Sequence, residues 1–95
     1  MEPPSASPCI AVMPVYNEQA CLQRVCLDWI AQMLSVGGLL LVVDDGSRDN
    51  SPSLLRRLAQ QHSALIVITQ ANAGHGPAIL NGYAQALAFG CEYVF

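Results

Sequence analysis

Leu39-Leu40-Leu41-Val42-Val43 run together with no polar side chain among them and stop at Asp44-Asp45-Gly46-Ser47. A strand wetted on one side would alternate apolar with polar residues. A short continuous run ending in an acidic turn belongs instead to a parallel strand covered on both faces. Two further runs behave alike: Cys9-Ile10-Ala11-Val12-Met13, which is expected to stop at Pro14 because proline lacks the N–H of a central strand, and Ala64-Leu65-Ile66-Val67-Ile68-Thr69. Helical periodicity fills the gaps. Leu22, Val25, Cys26, Trp29, Ile30, Met33 and Leu34 recur at helical spacing between a cap at Asn17 and a stop at Gly37-Gly38. Ser51 followed by Pro52 reads as a cap and first helical residue, with Leu54, Leu55, Leu58 and Ala59 inward and Arg56, Arg57, Gln60 and Gln61 outward. A third helix opens at Pro77 and closes near Gly90, with Gly82, Ala84, Ala86 and Ala88 as small residues for close approach to a sheet. A fourth strand is expected over Cys91–Phe95.

Strict alternation of this kind predicts an α/β fold: a Rossmann-like open parallel sheet with flanking helices and right-handed crossovers. Ligands of such sheets bind beyond the carboxyl ends of the strands, where strand order reverses. The residues just after each strand therefore carry the functional information.

Composition narrows the partners. The chain has 95 residues and a net charge of −3, and Arg24, Arg48, Arg56 and Arg57 are its whole basic complement, with no lysine. Nucleic-acid binding, which needs clustered cations, is excluded as an expectation. Charged residues make up 12% of the chain and apolar residues 53%, against a usual charged share of about 25%. A low charge in so small a unit predicts faces covered by something else, and the chain reads as part of a larger domain. Cys9, Cys21, Cys26 and Cys91 lie in apolar runs without CxxC spacing, which suits reduced, buried thiols better than disulfides or zinc. Residues 1–8, acidic and proline-rich, read as a disordered lead-in rather than a signal peptide, and residues 9–95 as the partial domain. No apolar run reaches the roughly 18 residues of a membrane span.

Each strand end admits a chemical and a structural reading. Pro14-Val15-Tyr16-Asn17-Glu18 offers a flat ring for a base and a carboxylate for base N–H groups, or simply a turn into a helix. Asp44-Asp45 places two acids at one strand end; Asp-Gly-Ser turn chemistry accounts for Asp45-Gly46, and an acid here can also accept the imide N–H of uracil or the N1–H and amino group of guanine. Asn72-Ala73-Gly74-His75-Gly76 puts two glycines before a helix N-terminus, a geometry able to present backbone N–H groups to phosphate. It is neither a dinucleotide fingerprint nor a Walker loop. His75 reads as a diphosphate contact or a solvated loop residue, and His62 as structural.

Taken in order, Ile10–Glu18, Leu41–Asp49 and Asn72–Ala78 resemble the family 2 glycosyltransferases, which use nucleotide-diphospho-sugars and include dolichyl- and polyprenyl-phosphate sugar synthases. The resemblance runs from Ile10 to Phe95 and implies the N-terminal nucleotide-binding half of a GT-A fold. It implies that Pro14, Tyr16 and Glu18 line the nucleobase and ribose, that Asp45 bonds the base while Asp44 supports the turn, and that Gly74 and His75 pass beside the nucleotide. It further implies a UDP- or GDP-linked donor, transfer with inversion to a polyprenyl phosphate or saccharide, and Mg²⁺ or Mn²⁺ held by an acidic motif after the fourth strand. Neither those metal ligands nor a catalytic base is assigned to any residue of this chain, and the 95 residues alone are expected to be inactive. The implied location is cytoplasmic, or the cytoplasmic face of a membrane if a C-terminal segment anchors it. The alternative from a different class is a non-catalytic Rossmann-like nucleotide-binding module.

Overall fold

A computed structural model describes residues 9–90 and the backbone of Tyr93–Val94. The proposed lead-in at residues 1–8 and the side chains of residues 91–95 lie outside the described residues. Among the described residues four strands alternate with three helices: β1 (Cys9–Val15), α1 (Gln19–Ser35), β2 (Leu39–Asp44), α2 (Ser51–Gln61), β3 (Leu65–Thr69), α3 (His75–Ala88) and a short β4 (Tyr93–Val94). The sheet is parallel throughout, in the order β3-β2-β1-β4.

Alternation along the strands divides the core in two. Ala11, Val15, Leu40, Val42 and Leu65 pack with Leu22, Cys26, Ile30 and Met33 of α1 and with Leu55 and Leu58 of α2. Ile10 and Leu41 face the other way and pack with Ala86 of α3. Leu40, Leu41, Val42 and Val43 are fully buried, as expected of a strand covered on both faces. Burial pushes the Cys26 thiol up to about 11, and Cys9, Cys21 and Cys26 are free.

Helix α3 approaches the sheet through Ala78, Gly82 and Ala86, one residue per turn on a single face. A β-carbon built on Gly82 would collide with Val12 Cγ1 and would lie 3.0 Å from Val43 Cγ2. Ala84 and Ala88, expected on the same face, are exposed: they stand off the Ala78-Gly82-Ala86 row, and helical rotation carries them away from the sheet. The outer face of α3 instead presents Leu80, Tyr83 and Leu87.

Three local expectations are corrected. Strand β1 does not stop before Pro14 but continues through it to Val15, with Pro14 paired to Val43. The Val15 carbonyl accepts the Asp45 N–H at 2.8 Å on the β2 side. Alternation turns the Pro14 nitrogen to the opposite edge, so its missing N–H costs no bond in the β1–β2 ladder. Asn17 does not cap α1: it sits at φ 51°, and the cap position belongs to Glu18. Ser51 is the first residue of α2 rather than its cap, and α3 starts at His75, two residues before Pro77.

Strands β2 and β3 step away from β1 on one side while β4 joins it on the other. The reversal of strand order thus falls at the carboxyl end of β1, where a ligand crevice is expected.

Candidate functional site

The turns after β1 and β2 are tied to each other. Asn17 N–H donates to Ser47 Oγ at 2.9 Å, and Arg48 N–H donates to Asn17 Oδ1 at 2.7 Å. Glu18 N–H reaches Ser51 Oγ at 3.2 Å, and Gln19 N–H reaches Asp49 Oδ2 at 3.2 Å. The first amides of α1 are therefore capped across the turn by residues thirty positions on. Local capping rules have no means of seeing this. Partial burial alone would raise the Asp49 carboxyl, but hydrogen bonds from Ser51 and Gln19 outweigh it and hold the group below its ordinary range.

The adjacent acids at the end of β2 part company. Asp44 accepts the Ser47 N–H at 3.0 Å through Oδ1 and so shapes the turn. It borders a cavity with Pro52, Arg56 and Thr69 on the α2 side. Asp45, 4% exposed, turns to the α3 side. Its Oδ1 accepts Gln70 Nε2 and the Ala73 N–H, each at 2.8 Å. Its Oδ2 accepts the Gly74 N–H at 2.9 Å and Asn72 Nδ2 at 3.1 Å. The Gln70 amide is itself held, because Asn81 Nδ2 of α3 donates to Gln70 Oε1 at 2.8 Å. Asp45 thus fastens the whole β3–α3 segment to the end of β2. Gly46 permits the close fit: it sits at φ 71°, and a β-carbon there would stand 2.8 Å from the Asn72 nitrogen.

The Gln70 side chain first, then the Ala73 N–H, holds the Asp45 carboxyl below its ordinary 3.8, against the opposing effect of desolvation. Between its folded and unfolded values the unfolded chain binds more protons, so the contribution of Asp45 is complete above 3.8 and is lost as pH falls through the folded value. Asp49 acts with the same sign. Thermal unfolding midpoints are expected to stay level from about pH 7 to about pH 5 and to drop below about pH 4. Asp45→Asn should make that acid limb shallower. A midpoint that instead falls steadily between neutrality and about pH 5 would contradict the assignment.

At the carboxyl end of β1 these elements enclose a cavity of about 300 Å³ lined by Pro14, Val15, Tyr16, Glu18, Asp45, Asn72, Gly74 and His75. All six residues singled out from sequence — Pro14, Tyr16, Glu18, Asp45, Gly74 and His75 — border it. Val15 and Asn72 complete the wall. The volume lies at the lower end of the range for small-molecule sites. Tyr16 is 42% exposed and borders the cavity. Gly74 is the cap residue of α3 and His75 its first residue, which sets a helix N-terminus at the rim. Sequence reading missed Gln70 and Asn81, whose roles depend on a contact between a strand end and a helix face. Among the described residues no group of three or more His, Cys, Asp or Glu is placed to hold a metal ion. The cavity's two carboxylates, one of them already taken up by four donors, do not make a metal site.

The family described as Glycosyl transferase family 2 matches residues 10–88. An undecaprenyl-phosphate 4-deoxy-4-formamido-L-arabinose transferase of Pseudomonas aeruginosa (strain LESB58) is 39% identical over 79% of this chain. The protein of the same name from Proteus mirabilis (strain HI4320) is 35% identical over 79%. The chain spans 23% and 24% of the lengths of these two relatives. Among solved structures, a mannosyltransferase from Pyrobaculum calidifontis in complex with GDP-Man and Mn²⁺ superposes on 90% of this chain and 26% of its own, with TM-score 0.71 and 23% identity. The shared architecture is that of a GT-A fold, which bears out the open parallel sheet expected from sequence.

Proposed function

The chain belongs to glycosyl transferase family 2, and from that premise we propose that its cavity binds the nucleotide of a nucleotide-diphospho-sugar donor. The enzyme it serves transfers the sugar, with inversion, to a polyprenyl phosphate. Residues 9–95 contribute the donor-binding part of that enzyme. The observation that carries the reading is convergence: the ends of three strands and the start of α3 close on one cavity at the reversal of strand order.

Each lining residue has a role its chemistry suits. Tyr16 stacks on the base, Pro14 packs beside it, and Glu18 and Asp45 accept hydrogen bonds from ribose or base. Gly74, His75 and the first turn of α3 face the diphosphate, whose charge the helix N-terminus favours. A divalent cation, Mg²⁺ or Mn²⁺, neutralises the leaving diphosphate in such reactions. The described residues supply no ligand set for it. The names of the relatives support an undecaprenyl-phosphate acceptor and hence work at the cytoplasmic face of a membrane. No described helix is long and apolar enough to cross one.

Tyr16→Ala tests the reading with little risk to the fold, because Tyr16 is exposed. Loss of base stacking, worth about 1–3 kcal/mol, should weaken nucleoside-diphosphate binding by about tenfold or more, measured by calorimetric titration. Unchanged affinity would remove the base from this cavity.

A further inference from the structure

An ionised carboxylate has about four lone-pair positions, and in Asp45 every one is occupied by a donor of this chain. A base N–H cannot reach Asp45 unless one of these donors leaves. The four are not equally free to go. Ala73 and Gly74 donate from the backbone. Gln70 is a side chain, but Asn81 holds its far end from α3. Asn72 is different. It is exposed, it lines the cavity, and its Nδ2 is divided between Asp45 Oδ2 at 3.1 Å and the Asp45 carbonyl at 3.0 Å. These are the two longest of the five bonds Asp45 accepts from this segment.

We infer that Asn72 is a specificity-determining residue that stands in for the base: its amide holds the position on Asp45 that a base N–H would take and swings away when a nucleotide enters. The proposal rests on the reading of this cavity as a donor-nucleotide site and deepens it. One position on Oδ2 can be vacated by a side-chain rotation, and none on Oδ1. A base that offers one N–H, such as the imide of uracil, is satisfied by that vacancy. Guanine offers two, N1–H and the amino group, and its second donor meets an oxygen already filled by Gln70 and Ala73. It must break a built-in bond or remain unpaired in the site. The cavity therefore selects a uridine diphosphate donor over a guanosine diphosphate donor.

The test is titration of the protein with uridine 5′-diphosphate and guanosine 5′-diphosphate, for the unaltered chain, Asn72→Ala and Asp45→Asn. An unpaired donor costs the guanine nucleotide about tenfold or more in affinity. Asn72→Ala keeps the β-carbon that packs near Gly46 and removes the competing amide, so uridine diphosphate should bind about threefold to tenfold more tightly. A merely structural Asn72 would give the opposite, weaker binding with a lowered unfolding midpoint. Equal or tighter binding of guanosine diphosphate, or weaker uridine diphosphate binding by Asn72→Ala, overturns this inference while an Asp45-dependent affinity leaves the donor site standing. Failure of both nucleotides to bind, or binding indifferent to Asp45→Asn, overturns the donor-site reading and the inference with it.

Discussion

Asp45→Asn is expected to reduce nucleoside-diphosphate affinity about a hundredfold and to release the β3–α3 segment in the same step. The substitution replaces one acceptor oxygen with an NH₂ group. Whichever way the amide turns, that group confronts a backbone N–H, either of Ala73 on the Oδ1 side or of Gly74 on the Oδ2 side. Two donors then face each other where donor and acceptor had met. The Asp45 N–H still bonds Val15, so the β1–β2 ladder keeps its end while the contact across to β3–α3 opens. Amide hydrogen exchange should accordingly quicken at Ala73 and Gly74 and stay slow in β1 and β2. If affinity and exchange are both unchanged, Asp45 is an ordinary turn residue and the cavity wall is held by something else.

Gly82→Leu is expected to lower stability by about 1–3 kcal/mol or more, without touching the cavity. A β-carbon on Gly82 already conflicts with Val12 and Val43, and a leucine adds three further carbons to the same gap. Both valines sit on strands packed between two helical layers, so neither can retreat without disturbing the opposite face. The expected signature is a lower denaturant midpoint with an unchanged slope. Full stability would mean that α3 stands off the sheet.

The two variants separate what the sequence could disclose from what it could not. The strands were legible because Leu39–Val43 and its two companions are unbroken apolar runs, and parallel burial leaves few other readings. The cavity residues were legible because open parallel sheets place ligands at strand ends, so Tyr16, Asp45 and His75 stood out by position. The turn role of Asp44 also followed, since its Oδ1 accepts the Ser47 N–H. Pro14 misled because its missing N–H matters only on the edge it faces, and alternation turns that edge away from β2. Asn17 and Ser51 have the chemistry of caps, but each spends its side chain on the neighbouring turn. Gln70 and Asn81 carry no local signal: eleven residues apart, they meet because β3 and α3 fold together. Ala84 and Ala88 were placed on the sheet face by size alone, where helical phase decides.

The most direct test of the donor-site account is a titration of the ¹⁵N-labelled protein with a uridine or guanosine diphosphate sugar, followed by amide chemical shifts. The account predicts saturable shifts centred on Val15, Tyr16, Glu18, Asp45, Ala73, Gly74 and His75, the residues at and beside the cavity. Shifts confined to the outer face of α1 around Arg24 and Asp28, or none up to roughly millimolar ligand, would contradict it.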